Sequence, residues 1–231
     1  MNPPSVQILT GQTDSHVCAL EDSEVLIHRD AVADFLLLKQ KAQEAGFDIG
    51  VISGFRGFEA QQRIWDLKAT GQRALLDDGG NPLVFEALTP KEIVFSILRW
   101  SALPGASRHH WGTELDVYPT NLSPQYQVKL IPQEIESGGV YEPFGNWLKE
   151  TLPALGFFRP YQVDLGGVNP EWWHISYAPI SDRYFNATAS GILKTVVEQS
   201  SIQLKSIVIQ HWDEIFERFV TRITLPDPQL S

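Results

Sequence analysis

Two short polar segments, far apart along the chain, constrain the fold of this sequence more than any other feature. Residues 107–116 read Ser-Arg-His-His-Trp-Gly-Thr-Glu-Leu-Asp, and residues 171–174 read Glu-Trp-Trp-His. A tight turn at Gly112 would fold Asp116 back beside His109. A catalytic metal site needs three protein ligands, an open coordination position and a nearby carboxylate. The two segments together supply these groups, provided that the fold brings them into contact.

The rest of the composition narrows the kind of site that these residues can form. The single cysteine, Cys18, excludes an internal disulfide and any zinc site built from several cysteines, so a metal site has to use histidine and carboxylates. Eighteen Lys and Arg residues against 28 Asp and Glu residues give a net charge of −10, and no basic run is present. An acidic chain of this kind repels nucleic acid and anionic lipid, so no nucleic-acid partner is expected.

The length and the hydrophobic content predict a single folded domain. The 231 residues, 43% of them hydrophobic, are enough to bury a sizeable core, so one domain is expected over residues 1–231. The motifs lie between residues 53 and 174, and a helical C-terminal extension is predicted from about residue 187. No stretch is apolar for the length of a bilayer span. The N-terminus lacks the basic segment and apolar run of a secretory signal.

Hydrophobic periodicity predicts helices and short strands. In residues 113–118, Leu115 and Val117 alternate with Glu114 and Asp116, so both carboxylates are expected to point away from the apolar face. The predicted elements are a helix from an Asp30 cap to Gly46, helices at about 58–70, 90–100, 144–155 and 204–223, and strands at 47–52, 113–118 and 172–177.

The two segments resemble the Ser-x-His-x-x-Gly-x-x-x-Asp and Glu-x-Trp-His motifs of the D-alanyl-D-alanine carboxypeptidase and dipeptidase family of metallopeptidases. This VanY-like family, peptidase family M15, also carries a Ser-Gly-Tyr-Arg segment that is followed shortly by Gln. Residues 53–56 read Ser-Gly-Phe-Arg, and Gln61 follows them. Three segments in the matching order are a far stronger signal than any one of them alone.

The resemblance implies an α+β fold in which a small, mainly antiparallel sheet flanked by helices carries a zinc cleft, as in hedgehog and D,D-peptidase domains. It also implies a role for each matched residue. His109, Asp116 and His174 would bind one Zn²⁺, and Glu171 would act as the catalytic base. The substrate would be bound by Arg56, Gln61 and Ser107.

By the same resemblance, the expected activity is that of a zinc-dependent D,D-carboxypeptidase. It would hydrolyse the terminal D-Ala-D-Ala amide of peptidoglycan stem peptides, in the cell envelope or periplasm. An L,D-carboxypeptidase or a peptidoglycan endopeptidase of the same fold is an alternative, and the cytoplasm is the alternative location because no signal segment is present.

A non-catalytic, zinc-containing binding module is the alternative from another class. Glu171 and Arg56 argue against it, because a purely structural zinc site needs neither a base nor a carboxylate clamp. A serine-type peptidase is disfavoured because the chain contains no Ser-x-x-Lys.

Some residues depart from the family motifs or fall outside them. Glu114 stands where the motif usually has a small residue, and it is expected to share a strand face with Asp116. Phe55 replaces the common tyrosine, which removes a hydroxyl group. Outside the assigned site residues, surface positions are expected for His16, His28 and His211. Packing roles are expected for Trp111, Trp172 and Trp173, and His110 is not expected to bind the metal.

Overall fold

Antiparallel strands bring the two motif segments together in the computed structural model, which describes residues 3–21 and 23–226. The main sheet has the strand order β3-β4-β6-β5, with every neighbouring pair antiparallel. A second sheet pairs β1 with β2. The strands are β1 Val17–Ala19, β2 Leu26–His28, β3 Ile49–Ser53, β4 Glu114–Pro119, β5 Phe157–Phe158 and β6 His174–Tyr177.

Helices surround the main sheet and confirm the predicted α+β class. The helix α4 begins with a capping box, in which Thr89 and Glu92 satisfy each other's backbone N–H groups. No helix in the described part of the chain has the length and apolar content to span a bilayer. The helices are α1 Val6–Leu9, α2 Val32–Glu44, α3 Phe58–Ala69, α4 Pro90–Trp100, α5 Glu142–Thr151, α6 Ala178–Ala187, α7 Ser190–Gln199, α8 Lys205–Gln210 and α9 Trp212–Ile215.

Two hydrophobic clusters support the sheet and the helices beside it. The first packs the apolar side chains of β4 and β6, including Leu115 and Ile175, against α2 and α5. The second joins α3 and α4 to the C-terminal helices, with Trp65 and Trp212 among its largest members. Asp116 of β4 and His174 of β6 face a cleft whose other walls include residues of α3 and the end of α4.

Three predictions about local structure are wrong. Asp30 does not cap α2: it lies in a 3₁₀ turn, where its backbone N–H donates to the imidazole of His28 at 3.2 Å. The tail is not one helix, because α8 ends at Gln210 and a π-helical segment, Phe216–Thr221, follows α9. Apolar residues three or four apart fit an unbroken helix equally well, so the sequence pattern does not reveal these interruptions.

The third wrong prediction concerns two histidines that were expected at the surface. His16 and His28 are both buried. Their rings lie 5.7 Å apart, and the His28 ring also contacts Tyr184 of α6. Burial lowers the pKa of His16, and it lowers the pKa of His28 to about 4, so both rings are neutral packing groups at neutral pH.

Gly112 makes the turn that the first motif requires. It follows a 3₁₀ turn, Arg108–Trp111, and adopts a left-handed conformation with φ of +67°. A Cβ atom here would lie 2.4 Å from Cγ1 of Val17 and 2.9 Å from the backbone nitrogen of His28. The Gly112 carbonyl also accepts a hydrogen bond from His28 N–H at 2.7 Å. The turn therefore fits closely against the small sheet.

We predict that Gly112→Ala lowers the free energy of unfolding by about 3 kcal/mol or more, because a left-handed residue with a side chain costs about 1–2 kcal/mol and the clash adds to it. Chemical denaturation measures the change. Gly46→Ala is the matched control: Gly46 has φ of +87°, but a Cβ atom there meets nothing within 4 Å. Equal losses in the two variants would contradict the proposed close fit.

Candidate active site

Three residues from the two motif segments meet at the centre of the sheet. Asp116 on β4 is the direct register partner of His174 on β6, and His109 lies in the turn before β4. His109 Nε2 lies 3.5 Å from Asp116 Oδ2, and His174 Nδ1 lies 3.4 Å from Asp116 Oδ1. One ligand atom from each residue lies within 4.8 Å of the others, and all three residues are buried. They form a group that could hold a metal ion.

The second nitrogen of each imidazole is held by a fixed acceptor. His109 Nδ1 lies 2.8 Å from the Gly54 carbonyl oxygen, which can only accept, so Nδ1 carries the hydrogen. His174 Nε2 lies 2.8 Å from Glu114 Oε2. These contacts leave His109 Nε2 and His174 Nδ1 facing Asp116. Orientation of a ligand histidine by its other nitrogen is typical of metal sites.

The donor set fits a divalent cation. Asp116 Oδ1 is buried and accepts no hydrogen bond from the described residues. Burial would raise the pKa of Asp116, but the neighbouring His109, His174 and Arg56 outweigh it and lower that pKa. The carboxylate is therefore ionised and has an oxygen free for a cation. Two imidazole nitrogens and one carboxylate oxygen suit zinc, which favours nitrogen and oxygen ligands in this combination.

Glu114 orients His174 and does not crowd the ligand atoms. It is fully buried, and it accepts hydrogen bonds from Ser176 Oγ at 2.7 Å and from Arg108 Nη2 at 3.0 Å. Burial would raise the pKa of Glu114, but Arg108 and His174 outweigh it and hold that pKa well below its usual value. Glu114 is thus a charged, fully hydrogen-bonded acceptor for the His174 ring.

Glu171 and Arg56 stand on the cleft side of the three clustered residues. Glu171 Oε2 lies 3.2 Å from His174 Nδ1. Arg56 Nη2 lies 3.9 Å from Asp116 Oδ2. Both residues line the cleft, which encloses about 230 Å³. A carboxylate and a guanidinium thus flank the group that could hold a metal.

The remaining sequence-predicted residues take different positions. Ser107 lines the cleft, whereas Gln61 is fully buried and is not among the lining residues. Gln61 Oε1 accepts from Arg56 Nη1 at 2.8 Å, and its Nε2 donates to the Ala102 carbonyl at 2.7 Å. Gln61 therefore contacts two residues of the cleft wall, Arg56 and Ala102, and does not itself line the cleft as expected of a substrate-binding residue.

His110 supports the site but is not one of the three residues that could hold a metal ion. Its Nδ1 lies 2.6 Å from the Arg56 carbonyl oxygen, and its Nε2 accepts from the Gly105 N–H at 3.0 Å. Burial lowers the pKa of His110 to about 3, so the ring is neutral. It connects the Arg56 segment to the turn that carries His109. As predicted, Trp111, Trp172 and Trp173 are all buried in the first cluster, but Trp173 also lines the cleft.

Comparison with known proteins assigns the chain to a family. The sequence model of the family described as "VanY: D-alanyl-D-alanine carboxypeptidase" matches residues 24–180. The chain belongs to this family. It is therefore a peptidase of the carboxypeptidase type, and the matched segment contains the clustered histidines and Asp116 together with Arg56 and Glu171.

Two proteins of known sequence are similar to about half of this chain. An uncharacterised protein of Haemophilus influenzae is 33% identical over 121 residues, which cover 51% of this chain and 92% of that protein. A D-alanyl-D-alanine carboxypeptidase of Enterococcus faecalis is 28% identical over 133 residues, which cover 56% of this chain and 40% of that protein.

Solved structures share the fold of the VanY-family chain. VanYB in complex with D-alanine-D-alanine superposes with a TM-score of 0.55 at 21% identity, covering 87% of this chain and 94% of that one. A zinc complex of a mutant of the vancomycin-resistance D,D-pentapeptidase VanY gives a TM-score of 0.54 at 21% identity, and the superposition covers 90% of this chain and 94% of that one. The fold continues across most of each chain.

The sequence does not reveal the residues that surround His109, Asp116 and His174. The alternation of residues 113–118 places Glu114 on the face of Asp116, but it does not identify Arg108 and Ser176 as its partners. Arg108 also stacks on Trp111, with the guanidinium carbon 4.6 Å from the ring centre. Lys68 lines the cleft from α3. Its only sequence signal is the spacing of seven residues from Gln61, which places both on one helix face.

We predict that Glu114→Gln lowers the Zn²⁺ affinity about 10- to 100-fold, the usual effect of changing a group that orients a ligand histidine. Competition with a fluorescent chelator measures the affinity. Glu134→Gln is the matched control, because Glu134 is also buried but accepts from the backbone of Lys129 and Ile131, on a different segment. A loss of Zn²⁺ affinity as large in the control as in Glu114→Gln would contradict the proposed role.

Proposed function

We propose that this VanY-family chain is a zinc-dependent D,D-carboxypeptidase that removes the terminal D-alanine from peptidoglycan stem peptides. One observation carries the proposal: a two-histidine, one-aspartate group, a carboxylate and a guanidinium line one cleft. His109, Asp116 and His174 would hold one Zn²⁺. The zinc complex of a VanY D,D-pentapeptidase and the D-alanine-D-alanine complex of VanYB, both with the same fold, support this choice of metal and substrate.

In this proposal Glu171 moves the proton. Zinc, when bound, lowers the pKa of a coordinated water from about 15.7 to roughly 7 and polarises the substrate carbonyl. The Glu171 carboxylate, 3.2 Å from the nitrogen with which His174 would bind the metal, is close enough to accept the proton of the attacking water. It then returns this proton to the leaving amine, so the products are a shortened peptide and free D-alanine.

Arg56 selects substrates with a free carboxyl terminus. Its guanidinium is held by Gln61 and by Ser53 Oγ, at 2.7 Å from Nη2, so its direction is fixed before a substrate arrives. A preorganised guanidinium binds a carboxylate through charge-assisted hydrogen bonds. Ser107, on the cleft wall, is placed to contribute a hydroxyl group. A substrate with an amidated terminus would leave the Arg56 charge without its anion.

Glu171 and Arg56 favour this proposal over a non-catalytic zinc-binding module. A zinc ion with only a structural role needs neither a proton acceptor nor a carboxylate clamp in an open cleft. The substrate class also implies the place of action, so we propose that the protein works in the cell envelope.

The proposal predicts D-alanine release from a stem pentapeptide that ends in D-Ala-D-Ala. Release should stop when a chelator removes the metal and return when Zn²⁺ is added in excess. Chromatography of the products identifies the bond that is cut. A stem tetrapeptide is the parallel substrate: release of D-alanine from it, and none from the pentapeptide, would replace the D,D assignment with an L,D one.

The variant Glu171→Gln should keep its zinc but lower kcat by a factor of about 10² to 10⁴, because the amide cannot accept the proton. Zinc content, measured by atomic absorption, separates loss of the base from loss of the metal. Activity close to wild type in a zinc-loaded variant would exclude Glu171 as the base. No D-alanine release from any stem peptide by the zinc-loaded wild type would leave the binding module as the better explanation.

We expect Arg56→Ala to raise KM about 10-fold or more for substrates with a free terminal carboxylate, since a charge-assisted hydrogen bond contributes about 1.5–3 kcal/mol. The same variant should change KM much less for the matched peptide amide. Steady-state kinetics on the two peptides gives the comparison. An equal effect on both would remove Arg56 from carboxylate binding.

A further inference from the structure

The cleft contains a buried lysine that the proposed mechanism does not use. Lys68 lies on α3, is 7% exposed and lines the cleft. Its Nζ donates a hydrogen bond to Ser101 Oγ at 2.6 Å. In the part of the chain that the structure describes, no carboxylate oxygen lies within 4 Å of this ammonium group. A buried charge is costly unless it is paired, so an anion that enters the cleft would compensate it.

The groups around Lys68 favour an anion as its binding partner. Arg73 lies just beyond the end of α3, where its backbone N–H donates to the Leu67 carbonyl at 2.9 Å, and its side chain lines the same cleft. Burial, with Arg73 as the next cause, outweighs the attraction of Glu171 and lowers the pKa of Lys68 to about 8. A bound carboxylate would offset both the burial of the Lys68 charge and its repulsion by Arg73.

The charges along the whole cleft point the same way. Arg56, Lys68, Arg73 and Lys129 line it as cations, whereas Asp116 and Glu171 are the carboxylates among its lining residues. The remaining lining cation, Arg108, is paired with Glu114. A metal ion would add further positive charge. One terminal carboxylate on Arg56 therefore leaves a surplus of positive charge at the Lys68 end.

The helix geometry indicates how far the second anion lies from the first. Gln61, which holds Arg56, and Lys68 are seven residues apart on α3, so their Cα atoms are separated by about 10 Å along the helix. An extended peptide advances about 3.3–3.6 Å per residue, so about three residues span this distance. We take the spacing of the two Cα atoms as a guide to the spacing of the two cations, which assigns the second anion to the third residue from the carboxyl terminus of the substrate.

We propose that Lys68, assisted by Arg73, forms a second carboxylate-binding subsite, and that the preferred substrates carry a free side-chain carboxylate on the third residue from the carboxyl terminus. This inference rests on the proposed carboxypeptidase function. In a stem peptide that ends in D-Ala-D-Ala, a diaminopimelate at that position has such a carboxylate, whereas a lysine does not.

The test uses two peptides that end in diaminopimelyl-D-Ala-D-Ala and differ in a single group. In one the side-chain carboxylate of diaminopimelate is free, and in the other it is a carboxamide. The wild-type kcat/KM should be about 10- to 100-fold higher for the carboxylate, the range that one charge-assisted hydrogen bond provides. In Lys68→Met this ratio should fall to about one, and Lys68→Arg should retain most of it.

The ratio is measured within each enzyme, so a partly unfolded preparation does not change it. Lys149→Met is the matched control, because Lys149 is exposed on α5 and is not among the residues lining the cleft. A wild-type ratio near one, or an unchanged ratio in Lys68→Met, would overturn the subsite while leaving the carboxypeptidase function intact. If neither peptide is hydrolysed by the zinc-loaded wild type, the proposed function itself fails.

Discussion

The antiparallel pairing of β4 with β6 is the constraint on which the rest of the site depends. It places Asp116 directly opposite His174, although 58 positions separate the two residues in sequence. The left-handed turn at Gly112 then returns His109 to the same side of the sheet. The strand register determines which side chains lie opposite each other, because a shift by one position would send each side chain to the opposite face.

The buried charges of the site are arranged in two layers. Asp116 and the imidazole nitrogens that face it form the inner layer, and Glu114, Arg108 and Ser176 form the outer layer that orients His174. Fully buried charges are tolerated here because each outer group has a partner of opposite charge or a hydrogen bond. Among the described residues, no group donates a hydrogen bond to one carboxylate oxygen of the inner layer, and a cation could bind there.

The C-terminal helices lie beyond residue 180, where the family match ends, yet they support one wall of the cleft. Trp65 Nε1 of α3 donates to the Gln203 carbonyl at 2.9 Å, and Asp66 accepts from the Gln203 backbone N–H at 2.8 Å. The second hydrophobic cluster joins the same helix to the tail. Since α3 also carries Lys68, the extension holds in place the part of the cleft that we assign to a second substrate carboxylate.

The sequence by itself determined the elements of the site. Gly112, the histidines and the carboxylates occur in an order and at spacings that indicate their chemistry, and local periodicity places Asp116 on the polar face of a strand. Local signals do not contain the cap that His28 provides, the breaks in the tail, or the burial of His16. Only the tertiary structure decided that Glu114 orients His174, that Gln61 contacts Arg56 and does not line the cleft, and that Lys68 lies in the cleft with no carboxylate of the described residues within 4 Å. These features depend on contacts between residues distant in sequence, and such contacts follow from strand register and helix packing, which no local pattern encodes.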